Sequence, residues 1–140
     1  MANIFLIEPY FRGSHASWAN GLIKHSKHNI HLFSLPGNFW KWRMHGAAIS
    51  LSKQVKDQAI IPDLFLVSDM LDLPTFLALC GPSFSTIPTL LYFHENQLSY
   101  PWSPTDKDPS LKRDNHYAFH NYTSALVAAH VCFNSAFQMD

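Results

Sequence analysis

The chain has 140 residues, 47% of them hydrophobic, and its ten Lys and Arg are matched by ten Asp and Glu. That is enough apolar material for one domain with a real core, and too much for a disordered chain. With no net charge, no overall field draws the chain to nucleic acid or to an anionic membrane, so contact with RNA would need a local patch, and no apolar run approaches the ~20 residues of a membrane span.

In chain order, Asn3 to Glu8 (NIFLIE) is a short continuous apolar run, as expected of a strand covered on both faces. After the loop PYFRG, Ser14 is placed to cap a helix running to about Ser26, with Ala16, Ala19 and Ile23 on one face and Trp18 and Leu22 beside it. Asn29 to Leu35 is a second strand, ended by Pro36-Gly37. Lys41 to about Lys56 reads as a helix, because Met44, Ala48, Leu51 and Val55 follow three- and four-residue steps. Asp63 to Val67 is a third strand, and Leu71 to Cys80 a short helix broken by Gly81-Pro82. Thr89 to Phe93 is a fourth strand. Asp114 to Ala129 gives the clearest helical pattern, with an apolar stripe of Ala118, Tyr122, Ala125, Leu126 and Ala129. Val131 to Phe133 opens a fifth strand.

Alternating buried-type strands and helices argue an α/β, Rossmann-like doubly wound parallel sheet. In such sheets ligands sit beyond the carboxyl ends of the strands. The polar clusters fall at those ends: Glu8 with Gly13-Ser14-His15, then Ser68-Asp69, then His94-Glu95-Asn96-Gln97, then Asn134-Ser135. One edge of the sheet is therefore the expected site.

Each cluster also has an ordinary explanation. The EPYFRGSH loop has a single glycine and no GxGxxG, so it carries no dinucleotide fingerprint, and by itself it is a plain strand-to-helix turn. HENQL begins like a zinc-peptidase HExxH, but Leu98 stands where the second histidine must be. His116 and His120 are spaced to share a metal, yet a chain with nine histidines produces such a pair easily. FWKWRMHG interleaves Trp40 and Trp42 with Lys41 and Arg43, which suits base stacking with phosphate contact and equally suits a helix start with one buried Trp. MANIFLIEPYFRG lacks the charged n-region and cleavage site of a signal peptide. Cys80 and Cys132 lie in separate apolar contexts, as buried free thiols do in a reducing compartment. A cytoplasmic protein is expected, and the sequon at Asn121 is then chance.

Taken together, GSH after the first strand, LPGNFWKWRMHGAA, LLYFHENQLSYP and VCFNSAFQMD resemble the N-terminal domain of the tRNA-queuosine mannosyltransferase family. The resemblance covers nearly the whole chain, and YFHENQLxYP is its most specific part. It implies a GT-B, GT4-like glycosyltransferase with two Rossmann-like domains. Residues 1–140 would be the single acceptor-side domain of a truncated form, without the donor-binding C-terminal domain and without turnover alone. The implied reaction is retaining transfer of mannose from GDP-mannose to queuosine in tRNA. No metal or other cofactor is implied.

Carried over by residue, the resemblance implies His94 near the transferred sugar and Glu95 as a carboxylate for an acceptor hydroxyl. Asn96 and Gln97 complete that polar block among the donor- and acceptor-binding residues. Gly13, Ser14 and His15 would approach the donor phosphates and the acceptor, and Lys41, Trp42 and Arg43 would hold the RNA acceptor. Asn134 and Ser135 would shape the interdomain cleft. The expected partners are a nucleotide sugar and tRNA, with no membrane and with self-association of the truncated domain. Two other readings stand beside this one: a non-catalytic RNA- or sugar-binding module, and a metal-dependent hydrolase using His94, Glu95, His116 and His120.

Overall fold

The structure is a computed structural model that describes residues 1–94 and 115–134. Five strands, β1 (Asn3–Phe11), β2 (Asn29–Pro36), β3 (Leu64–Ser68), β4 (Thr89–Phe93) and β5 (His130–Phe133), form one sheet in the order β2-β1-β3-β4-β5. Every pairing is parallel. Four α-helices connect them: α1 (Gly13–His25), α2 (Trp40–Lys56), α3 (Leu73–Cys80) and α4 (Asn115–Val127), with a short 3-10 turn at Pro82–Phe84. The α/β doubly wound expectation holds.

The strand order explains where a site can form. From β1 the chain steps outward to β2, returns past β1 to β3, and then continues to β4 and β5. The switch point of such a sheet lies between β1 and β3, where the connections leave in opposite directions and a crevice opens at the carboxyl edge. Helix α1 packs on β1 and β2, while α2 packs against α3 and α3 against α4. The main core fills the space under α2 and α3, with Phe5, Ile7, Phe65, Val67, Leu51 and Phe76 fully enclosed. Burying each such side chain is worth about 1.5–3 kcal/mol.

Several boundaries differ from the sequence reading. β1 runs three residues past Glu8, because Pro9 and Tyr10 form a bulge opposite a single β2 residue between Glu8↔Ser34 and Phe11↔Pro36. Proline has no ladder donor and is accommodated at a bulge. Ser14 is not a cap: α1 begins at Gly13 with Arg12 at the cap position and no side-chain cap bond. α3 starts at Leu73 rather than Leu71, since the Asp72 carboxylate accepts from Thr75 N and stops the helix there. The expected face of α1 is also shifted, with His15 and Ala19 buried and Ile23 exposed.

The stripe expected on α4 holds at Ala125, which packs against the main core, and fails in a more informative way at its large side chains. Tyr122 and Leu126 point outward, and the helix buries Asn121 and Ser124 instead. Ser124 Oγ donates to Leu71 O at 3.2 Å and accepts from Leu73 N at 3.1 Å. Asn121 Nδ2 donates to Asp69 O at 3.0 Å. These bonds satisfy backbone groups of the β3–α3 connection that would otherwise be buried unpaired, which outweighs the area gained by turning two apolar side chains inward. The same bond makes Asn121 an unsuitable glycan acceptor.

Candidate functional site

The carboxyl end of β1 carries a carboxylate where the strand pattern would continue apolar. Glu8 has 0% of its surface exposed. Both oxygens are engaged. Oε1 accepts from His15 Nδ1 at 2.8 Å, and Oε2 accepts from Ser68 Oγ at 2.7 Å and from Tyr10 N at 3.1 Å. The bulge at Pro9 serves this arrangement, because it turns the Tyr10 N–H out of the ladder and onto the carboxylate. A buried ionised carboxylate is tolerated only with such a set of donors. His15 reaches it from the first turn of α1 and Ser68 from the last residue of β3. Glu8 therefore sits at the β1/β3 switch point.

His94 completes the cluster from the end of β4. Its Nε2 lies 3.7 Å from Glu8 Oε1, and its ring lies 4.0 Å centroid to centroid from that of His15. The backbone on either side of the ring is fixed. His94 N donates to Asp69 Oδ1 at 3.2 Å, and His94 O accepts from Asn134 Nδ2 at 2.7 Å. Trp18 and Tyr92, stacked on each other at 4.7 Å, both set ring edges against His94. One carboxylate, two imidazoles and an aromatic wall thus meet at one point of the carboxyl edge.

Of the residues expected at the site, the structure brings His15, His94 and Asn134 together with Glu8, Ser68 and Asp69. Gly13 stands in the first turn of α1 at φ +56, a left-handed angle that favours glycine, and Ser14 beside it is exposed. Glu95, Asn96, Gln97 and Ser135 lie outside the described residues.

The Trp40–Arg43 stretch opens α2. Trp40 packs with Tyr10 against Met44 and Met70, while Trp42 is 73% exposed. Arg43 turns back on its own loop, with Nε donating to Pro36 O at 3.0 Å and Nη2 to Asn38 Oδ1 at 3.0 Å. Lys41 is in the first turn of α2, and its side chain is outside the described set.

Glu8 was recognisable in the sequence as part of a strand-end cluster but not as its centre. The available signal was a lone acid closing the run NIFLI. Trp18 was read as a packing residue, and Phe39 carried no signal at all.

For a metal, the donor atoms of Glu8, His15 and His94 lie within 4.8 Å of one another, the one such group among the described residues. Two histidines and a glutamate are a zinc-type donor set. Here, however, the shortest of those contacts is a direct Glu8–His15 hydrogen bond, and the other Glu8 oxygen is occupied. His120 is outside this group and faces Asp72, with Nδ1 3.7 Å from Oδ2. Of the hydrolase set, His94 and His120 are therefore not brought into one group, and Glu95 and the His116 side chain lie outside the described residues.

Cys80 and Cys132 are free, and burial raises the Cys80 thiol pKa from 9.0 to about 11. No described helix is long and apolar enough to cross a membrane.

The sequence matches the family described as "tRNA-queuosine alpha-mannosyltransferase N-terminal" over residues 3–140. It is 34% identical over 136 residues to the Drosophila melanogaster protein named tRNA-queuosine alpha-mannosyltransferase, covering 96% of this chain. The chain spans about a third, 34%, of the length of that relative. No solved structure matches it. With the family match running over nearly every residue and the polar strand ends assembled at one switch point, the chain belongs to the tRNA-queuosine α-mannosyltransferase N-terminal family.

Proposed function

We propose that this chain is the acceptor-side domain of an enzyme that transfers mannose from GDP-mannose to queuosine in tRNA. The observation that carries this reading is the buried Glu8–His15–His94 cluster at the β1/β3 switch point of a chain in this family. In the reaction, the bond from mannose C1 to the diphosphate oxygen breaks. A bond from C1 to an acceptor hydroxyl oxygen forms on the same face, the hydroxyl proton leaves, and GDP departs.

In this reading His94 hydrogen-bonds a hydroxyl of the sugar in transit or steadies the departing phosphate. Glu8 acts through the histidines: it holds His15 directly and faces His94 Nε2, so it is a positioning residue. Asp69 and Asn134 fix the His94 backbone from both sides. The reading needs a separate donor-binding domain for GDP-mannose and requires no metal. It places the protein in the cytoplasm, and two free thiols agree with a reducing compartment.

The test uses the longest native form of the protein. His94→Ala should slow single-turnover mannose transfer by about two to four orders of magnitude, the usual range for a catalytic proton-transfer or charge-stabilising contact. Transfer by the wild type should survive a chelator. A folded His94→Ala that transfers at the wild-type rate removes the assignment of His94. Transfer to no queuosine-containing tRNA removes the reaction itself.

A further inference from the structure

The zero net charge conceals a segregation. Between Pro9 and Lys56 there is no Asp or Glu, while seven of the ten Lys and Arg fall in that stretch. That stretch builds one flank of the molecule: the edge strand β2, with α1 and α2 on either side of it. At the amino edge of the flank, Lys53 and Lys56 have Asp57 and Asp63 as neighbours in the chain. At the carboxyl edge, where the candidate site lies, the flank supplies no acid of its own, and Glu8 and Asp69, both described there, are buried. The exposed Arg12 therefore stands at this edge with no exposed acid from its own flank beside it.

Two aromatic side chains project from the same edge. Phe39 and Trp42 are each 73% exposed, an unfavourable placement for rings of that size. The loop that presents them is held in place. Arg43 bonds to Pro36 O and Asn38 Oδ1, and Arg12 Nη1 donates to Gly37 O at 3.4 Å. Gly37 packs so closely that an added Cβ would overlap Arg12 Cβ. Phe39 has a left-handed backbone, φ 52, which a Phe adopts at a cost. A braced loop with two outward rings and an exposed arginine beside it suits the stacking of flat, negatively backed groups.

We infer that Phe39 and Trp42, with Arg12 beside them, form a stacking platform for unpaired nucleobases of an RNA loop, the phosphates lying on the acid-free flank. This rests on the tRNA reading above and deepens it by naming the surface. In a duplex the base faces are occupied by each other, so stacking on aromatic rings selects unpaired bases, while cations bind either form. The role of Arg43 changes accordingly: it braces the platform from below.

The test uses the 140-residue chain and two fluorescent RNA probes, a hairpin with an unpaired loop and a blunt duplex of equal length. The hairpin should bind more tightly, and increasingly weakly as salt rises. Phe39→Ala and Trp42→Ala should each weaken hairpin binding about tenfold and leave duplex binding unchanged, with circular dichroism confirming that both variants stay folded. Arg12→Ala should weaken both probes and flatten the salt dependence. Equal binding of hairpin and duplex, or platform variants that bind the hairpin like the wild type, overturns the inference. Failure here can be told from failure of the enzyme reading. In the longest native form, transfer with an unchanged tRNA KM in Trp42→Ala would keep the enzyme and discard the platform. Hairpin binding without any transfer would do the reverse.

Discussion

Four groups converge on the two oxygens of Glu8: the Tyr10 amide, the Ser68 hydroxyl and the His15 imidazole within 3.1 Å, and His94 Nε2 at 3.7 Å. Truncating a buried carboxylate in such a set leaves its donors unsatisfied and costs more than the hydrogen bonds themselves. Glu8→Ala should therefore lower unfolding stability by about 3 kcal/mol in urea titration. Because His15 shares the bond, Glu8→Ala and His15→Ala together should cost less than the sum of the two singles. Strict additivity would mean that the pair is not coupled. Cys80 gives a second residue-scale expectation. Its folded pKa of about 11 exceeds the ordinary 9.0, so above pH 9 the unfolded chain loses the thiol proton first. Stability that is complete below pH 9 should then fall as pH rises through 11, and Cys80→Ala should flatten that alkaline loss. At pH 8 only about one Cys80 in a thousand is thiolate, so a thiol reagent should label the partly exposed Cys132 long before it.

At the scale of elements, the β2–α2 connection holds a residue whose conformation and exposure both oppose stability. Phe39→Gly removes the left-handed strain and an exposed ring, and should raise stability by about 1 kcal/mol in thermal or chemical unfolding. The same change should weaken hairpin binding about tenfold, as Phe39→Ala does. A destabilised Phe39→Gly would mean that the ring is held by packing after all. Helix α4 shows why such features escape sequence reading. Its apolar periodicity suggested an inward Tyr122 and Leu126, but two polar residues, Asn121 and Ser124, had specific backbone partners fifty residues away in the chain. Periodicity measures average area, and it cannot see which carbonyl will need a donor once α4 docks beside α3. β4, by contrast, was fully legible, since Thr89–Phe93 is an uninterrupted run of strand formers between a proline and a histidine. The gathering of strand ends at one edge was legible too, because it follows from parallel topology alone. The centring of the cluster on Glu8 was not, because it depends on the bulge at Pro9.

For the whole molecule, the doubly wound order leaves β2 and β5 as the outer strands of the described sheet. Near β5, the outer face of α4 exposes Phe119, Tyr122 and Leu126, three large side chains spaced three and four residues apart on one helical face. Among the described residues, β5 has one paired neighbour, β4. An outer strand next to an exposed apolar helix face is a surface on which a second chain can add, both by strand pairing and by burial of area. At the β2 edge, the excess of cations on that flank would repel an identical copy. We therefore expect the 140-residue chain to self-associate through the β5–α4 side as concentration rises. Light scattering should show a mass climbing above 16.0 kDa. Leu126→Lys should return it to the monomer without loss of helix content, because that side chain is already largely in solvent. The association should also leave Trp42 fluorescence and hairpin binding intact, since the platform lies at the opposite end of the sheet. A strict monomer at all concentrations, or an associated form that Leu126→Lys leaves unchanged, would show that this side is not the contact.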